Sequence, residues 1–138
     1  MKYLLDTNVL VRLLRPKHAA VILKRLELLA EDDAAVCSVV RAELVTGALR
    51  SQRPDQNLTI ANELLGDFDS LPFDDRAADH AGRVRATLEA AGRPIGPNDL
   101  LIAAIALANG LTLVTHNTGE FGRVPGLGIE DWELDPPR

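Results

Sequence analysis

Three acidic residues interrupt apolar sequence where an isolated carboxylate is costly. Asp6 ends the apolar run Tyr3-Leu4-Leu5, and Glu43 and Asp99 break two helix-like stretches on sides otherwise suited to burial. A carboxylate withdrawn from water loses hydration worth several kcal/mol unless something cationic replaces it. The sequence neighbours offer no such partner. If Glu43 is helical, the residues three and four away are Val39, Val40, Thr46 and Gly47; for Asp99 they are Ile95, Gly96, Ile102 and Ala103. Neither set holds a Lys or Arg, which excludes a local salt bridge. The economical account is that the three acids converge in the fold and share a hard divalent cation, making the chain a metal-dependent enzyme.

Each acid also has a plainer role if taken alone. Asp6 can cap a helix after a strand. Asp99 in a first helical turn complements the helix dipole, worth about 0.3–1 kcal/mol. Glu43 has the weakest alternative, because it sits mid-helix on a largely apolar face.

A ligand set of carboxylates favours Mg²⁺, with Mn²⁺ as the alternative, over zinc. His18, His80 and His116 are scattered, with no HExxH pair, and Cys37 is the single cysteine. That excludes the usual zinc ligand sets. No Gly-Lys-Ser or Gly-Lys-Thr phosphate loop occurs, nor a GxGxxG turn, nor a G-x-S-x-G nucleophile elbow.

The acids must be carried by elements, and the chain reads as alternating strands and helices. Strands are expected at 2–6, 34–37, 70–73, 111–114 and near 128–130. Asp6-Thr7-Asn8 can open a helix with Val9, Leu10, Leu13 and Leu14 on one face, which Pro16 ends. Further helices are expected over 17–30, from a Ser38 cap through Glu43, over 58–68, over 74–91, and from Pro97 to Asn109 before Gly110. This alternation predicts an α/β domain of three layers, with a central parallel sheet flanked by helices. Sites in such folds lie beyond the carboxyl ends of strands, where Asp6 and the segment Thr115-His116-Asn117 fall.

The bulk composition agrees with one domain over residues 1–138, large enough to bury its own core. Hydrophobic residues make up 46% and aromatics only 4%, so the core is aliphatic and aromatic stacking platforms for single strands are not expected. The net charge of −5 argues against a DNA-wrapping protein, although a local basic rim can coexist with clustered acids. Cys37 follows Ala34-Ala35-Val36 and reads as a buried strand residue. Asp6 arrives too early for a signal peptide, and the apolar stretch 100–108 is too short to span a bilayer, so a cytoplasmic protein is expected.

Four blocks carry a resemblance. LLDTNVL (4–10), RAELVTGA (41–48), IGPNDLLIAAIA (95–106) and LVTHNTGEFGRVPGLGIEDW (113–132) together resemble PIN-domain proteins of the VapC type, the ribonuclease toxins of type II toxin–antitoxin systems. The resemblance spans nearly the whole chain in order. It implies that Asp6, Glu43 and Asp99 are the catalytic acids, with Asp6 and Asp99 the principal metal ligands and Glu43 completing the cluster directly or through water. Many PIN domains carry a fourth acid after the later strand. Here Asn117 occupies that region and Glu120 is the nearest acid, so either can serve as the fourth site residue and the number of metals stays open.

The implied reaction is hydrolysis of an RNA phosphodiester by metal-activated water. Thr7, Asn8, Asn117 and His116 are the candidate substrate contacts, although capping explains Thr7 and Asn8 equally well. Arg12, Arg15, Arg41, Arg93 and Arg123 are candidates for a basic rim, or ordinary surface charges. Phe121 and Trp132 read as packing residues. The resemblance further implies a homodimer and a VapB-type antitoxin, docking on an apolar groove around residues 13–29. Two other readings stay open: a nuclease of this fold acting in RNA maturation or on DNA, and a binding module without turnover.

Overall fold

The structure, a computed structural model, is described for residues 1–134. Among these residues five short strands form one sheet: β1 (Tyr3–Leu5), β2 (Ala34–Cys37), β3 (Asp69–Leu71), β4 (Thr112–Val114) and β5 (Ile129–Glu130). Their order is β3-β2-β1-β4-β5 and every pairing is parallel, with Leu4 opposite Ala35 on one side and Leu113 on the other. Among the described residues seven helices flank the sheet: α1 (Thr7–Leu13), α2 (Pro16–Glu27), α3 (Ser38–Leu49), α4 (Pro54–Leu65), α5 (Asp75–Ala90), α6 (Pro97–Ala108) and α7 (Thr118–Phe121).

The strand order contains the feature that makes a site. From β1 the chain steps outward to β2 and β3, then crosses back to β4 on the other side of β1. The direction of winding therefore reverses between β1 and β4, and a crevice opens beyond their carboxyl ends. Asp6 follows β1 and Thr115 follows β4, which brings residues 109 apart in sequence to the same crevice.

The core is aliphatic, as the composition requires. Leu4, Leu5, Val36, Leu113 and Val114 from the central strands are fully buried, as are Ile102 and Ile105 of α6. Cys37 is buried and free. Phe121 and Trp132 are buried, and Trp132 meets the Tyr3 ring edge-to-face with centroids 5.1 Å apart. No helix among the described residues is long and apolar enough to cross a membrane.

All five expected strands are present, and the differences lie at helix boundaries. Pro16 opens α2 as well as closing the helix before it. Likewise α4 begins at Pro54 instead of 58, because proline suits a first turn and Asp55 complements the dipole there. Ser38 does not cap α3: Cys37 holds the cap position, and the Ser38 hydroxyl accepts the Phe73 N–H at 3.3 Å. The single turn α7 was not expected. Its four residues are too few to show a period.

Helix α6 ends in a Schellman motif, with Leu111 N–H donating to the Ala106 carbonyl and Gly110 N–H to that of Leu107. Gly110 has φ +65°, and a Cβ there would meet nothing within 4 Å. The cost of Gly110→Ala is therefore conformational, about 1 kcal/mol, and should appear as a lower urea midpoint with an unchanged slope.

Candidate active site

Asp6 is only 3% exposed. Its backbone N–H continues the sheet to the Val114 carbonyl, and its side chain caps α1 by accepting the Thr7 N–H on Oδ1 at 2.8 Å. The other oxygen, Oδ2, accepts the Thr115 hydroxyl at 2.8 Å. Capping thus uses one carboxylate oxygen and leaves lone pairs on both facing the crevice chemistry. Glu43 lies in the middle of α3, half-buried, where the Thr7 hydroxyl donates to its Oε1 at 2.9 Å. Thr7 therefore holds two acids at once, one through its backbone and one through its side chain.

Asp99 sits in the first turn of α6, half-buried. Glu120 of α7 joins it. The Gly96 N–H donates to Glu120 Oε1 at 2.6 Å, and the Asn117 amide donates to Oε2 at 3.0 Å. The loop passes close beneath the two acids: a Cβ on Gly96 would stand in ordinary van der Waals contact, 3.5 Å from both Asp99 Oδ2 and Glu120 Oε1.

The electrostatics record four like charges in one place. Burial pushes the Asp6 carboxyl above the ordinary range; the Thr115 and Thr7 hydrogen bonds oppose this, and Glu43 and Glu120 reinforce it. Asp99 is pushed up to about 6, first by burial and then by Asp6, Glu120 and Glu43, with its hydrogen bond to Glu120 adding to the shift. Glu120 is lowered, chiefly by the Gly96 N–H and then by Asn117. Asp99 consequently takes up a proton as the pH falls through about 6, in its hydrogen bond to Glu120. Burial also pushes the neighbouring Cys37 thiol up, keeping it uncharged.

No ion pair among the described residues involves Asp6, Glu43, Asp99 or Glu120. Four oxygen-donor side chains, mutually repelling and with the Arg123 charge acting on Glu120 from beyond ion-pair distance, fit a hard divalent cation. A second grouping has different chemistry. Among the described residues, only His116, Asp131 and Glu133 bring three ligating atoms within 4.8 Å of one another. Those atoms are already engaged: His116 Nδ1 lies 2.9 Å from Asp131 and 3.1 Å from Glu133, Arg12 pairs with Glu133 at 2.9 Å, and the Glu133 N–H donates to Asp131. That network pins the C-terminal segment to α1. No three of the four acids bring their oxygens that close, although Asp99 and Glu120 share a hydrogen bond.

A PIN domain family model matches residues 3–127. The chain is 41% identical over 132 residues to the tRNA(fMet)-specific endonuclease VapC of Shigella flexneri, covering 96% of this chain and 98% of that protein. This chain belongs to the VapC family of PIN-domain proteins. It is also 40% identical to Ribonuclease VapC2 of Rickettsia felis, covering 96% of this chain and 99% of that one. Among solved structures, DNA-bound VapBC from Salmonella typhimurium superposes with a TM-score of 0.90 at 37% identity, covering 96% of this chain and 98% of that one. VapBC-1 from nontypeable Haemophilus influenzae follows at 0.88 and 34%, covering 97% and 100%.

The fold of this VapC-family chain brings together the three acids read from the sequence and adds Glu120. Asn117 is engaged in holding Glu120, and Thr7 in holding Glu43 and Asp6. Asn8 is exposed, and His116, also exposed, is tied to the C-terminal segment. Of the rim arginines, Arg12 is paired and Arg123 donates to the Pro94 carbonyl at 3.1 Å, while Arg15, Arg41 and Arg93 are exposed. Thr115 and Gly96 were missed. A hydroxyl at the end of the apolar strand Leu113-Val114 was the available signal for the first; a backbone N–H leaves none for the second.

An apolar groove of about 450 Å³ adjoins the acids, with Thr7 and Glu43 in its lining. It lies between α1, α3 and α4, lined by Val11, Leu14, Leu44, Ala48, Ile60 and Ala61. Of the stretch 13–29 it includes Leu14 and Arg15, so the groove next to the acids is formed mainly by other helices.

Proposed function

We propose that this chain is the toxin of a type II toxin–antitoxin pair: a single PIN domain over residues 1–138 acting as an endoribonuclease that hydrolyses RNA phosphodiester bonds. The observation carrying this reading is the convergence of Asp6, Glu43, Asp99 and Glu120 at the switch point of the sheet with no ion pair to any of them among the described residues. Mg²⁺, or Mn²⁺, is the fitting cofactor. Asp6 and Asp99 would hold it, with Glu43 and Glu120 completing the ligand set directly or through water. Such an ion, when bound, acidifies water and offsets charge on the phosphoryl oxygens.

The chain's own residues perform the remaining tasks. Thr7 fixes Asp6 and Glu43 relative to each other, so two helices present their carboxylates in one orientation. Gly96 and Asn117 hold both oxygens of Glu120. A carboxylate of the quartet that is not bound directly to the ion would take up the proton of the attacking water. Asn8 and His116, with Arg15, Arg41 and Arg93, are the exposed groups available to contact RNA.

The Shigella and Salmonella relatives are named as tRNA(fMet)-specific, which makes a folded tRNA the first substrate to test. The VapBC complexes among the structural neighbours support a VapB-type antitoxin as partner, with the groove between α1, α3 and α4 as its dock on each half of a homodimer. We further read the chain as a cytoplasmic protein.

The test is cleavage of a total RNA pool by antitoxin-free protein, with Mg²⁺ or with chelator, read by end-sequencing. A few sites cut only with metal are expected; cutting that survives chelation would refute the reading. In the same assay Glu120→Gln should lower the rate roughly ten- to a hundredfold, because a charge is lost and the single amide oxygen can accept from only one of Gly96 and Asn117.

A further inference from the structure

Thr115 is fully buried, and among the described residues it and Asp6 are the two buried polar or charged side chains. It directly follows Leu113-Val114 on the strand, where valine would have nearly the same shape and no hydroxyl to desolvate. A buried hydroxyl is costly unless its hydrogen bonds are made. Here both are made, and they run in one direction. The Asn117 backbone N–H donates to Thr115 Oγ1 at 3.0 Å, and Oγ1 in turn lies 2.8 Å from Asp6 Oδ2. An N–H can only donate, so it occupies a lone pair of the hydroxyl and directs the single hydroxyl proton to Asp6. With Oδ1 fixed by the Thr7 N–H, the Asp6 carboxylate is held at both oxygens by donors from two different elements.

We propose that Thr115 is a positioning residue: its hydroxyl, aligned by the Asn117 N–H, sets the rotation of the Asp6 carboxylate and thereby the affinity of the acidic site for a divalent cation. The inference rests on the reading of Asp6 as a metal ligand. It also gives the segment 115–117 one task along its length, since Thr115 orients Asp6 while the Asn117 side chain orients Glu120. Groups that orient metal ligands typically change affinity or activity ten- to a hundredfold when removed, roughly the effect expected here. A residue that only packs would behave oppositely, because valine in its place would be neutral or stabilising and would leave the cation unaffected.

The experiment is calorimetric titration of the full, antitoxin-free chain with Mn²⁺, comparing the parent with Thr115→Val, Thr115→Ser and Asp6→Asn. Thermal unfolding in chelator is measured alongside. Thr115→Val is expected to weaken Mn²⁺ binding roughly ten- to a hundredfold and, because the Asn117 N–H and Asp6 Oδ2 each lose a partner, to unfold roughly a few degrees earlier than the parent in chelator. Thr115→Ser, which keeps the hydroxyl, is expected to stay within about threefold of the parent, whereas Asp6→Asn loses binding. Should the valine variant not fold, Thr115→Ala supplies the same comparison without added bulk. Parent-like binding by Thr115→Val beside a defective Asp6→Asn overturns the role of Thr115 alone, as does a serine variant as weak as the valine. Parent-like binding by Asp6→Asn overturns the metal-ligand reading beneath it.

Discussion

Asp6→Asn is expected to yield a folded protein that cuts RNA roughly a thousandfold more slowly than the parent, a loss of about 4 kcal/mol of transition-state stabilisation. The substitution changes almost no volume. It removes the charge on the most buried of the four acids and leaves one amide oxygen to accept a hydrogen bond where two carboxylate oxygens did. The fold should tolerate this. Burial raises the proton affinity of Asp6, so its charge opposes folding, and neutralising it offsets the imperfect amide contact with Thr7 or Thr115. Thermal unfolding in chelator should therefore place the variant within a few degrees of the parent. Addition of Mg²⁺ should then raise the midpoint of the parent and not of the variant. A variant that unfolds early and cuts slowly for that reason would assign Asp6 to capping instead.

The second large effect is on pH. Without metal, Asp99 holds its proton up to about pH 6, against 3.8 for the ordinary carboxyl. The folded chain binds this proton more tightly than the unfolded chain, so protonation favours the fold. The penalty from a charged Asp99 is fully present above pH 6 and is relieved as the pH falls from 6 towards 4. Because the site is partly open to solvent, its size is on the order of 1 kcal/mol. Asp6 contributes with the same sign, and Glu120, whose proton affinity is lowered, opposes them only at more acid pH. A cation competes for the same oxygens, so its apparent affinity should fall about tenfold per pH unit below 6. Unfolding measured at pH 7 and pH 5 should thus respond oppositely in chelator and in Mn²⁺. The chelated protein gains from this site on acidification, while the stabilisation given by metal shrinks. Asp99→Asn should remove most of both responses. Parallel responses in chelator and metal would show that Asp99 does not share its proton site with the cation.

Legibility of this fold in the sequence followed the length of each signal. The strands announce themselves by short apolar runs between turn residues, and Gly110 marks the end of α6 through a conformation that other residues adopt at a cost. Asp6, Glu43 and Asp99 were legible because each breaks an apolar pattern locally. Glu120 was only half legible, since an acid in a polar loop breaks no pattern; what recruits it is a backbone N–H from Gly96, 24 residues away, and that contact exists only after folding. Thr115 was hidden for a related reason, because its value depends on Asp6 across the switch point. Helix starts at Pro16 and Pro54 were misplaced because proline reads as a helix breaker in sequence, yet it suits a first helical turn.

The most direct test of the central claim, that the four acids are a divalent-cation site, is an anomalous difference map from crystals of the protein grown with Mn²⁺. The predicted result is a peak at about 2.1 Å from carboxylate oxygens of Asp6 and Asp99, lost in Asp6→Asn crystals. A map with its only peak at His116, Asp131 and Glu133, or with none while the same preparation still cuts RNA, would contradict the account.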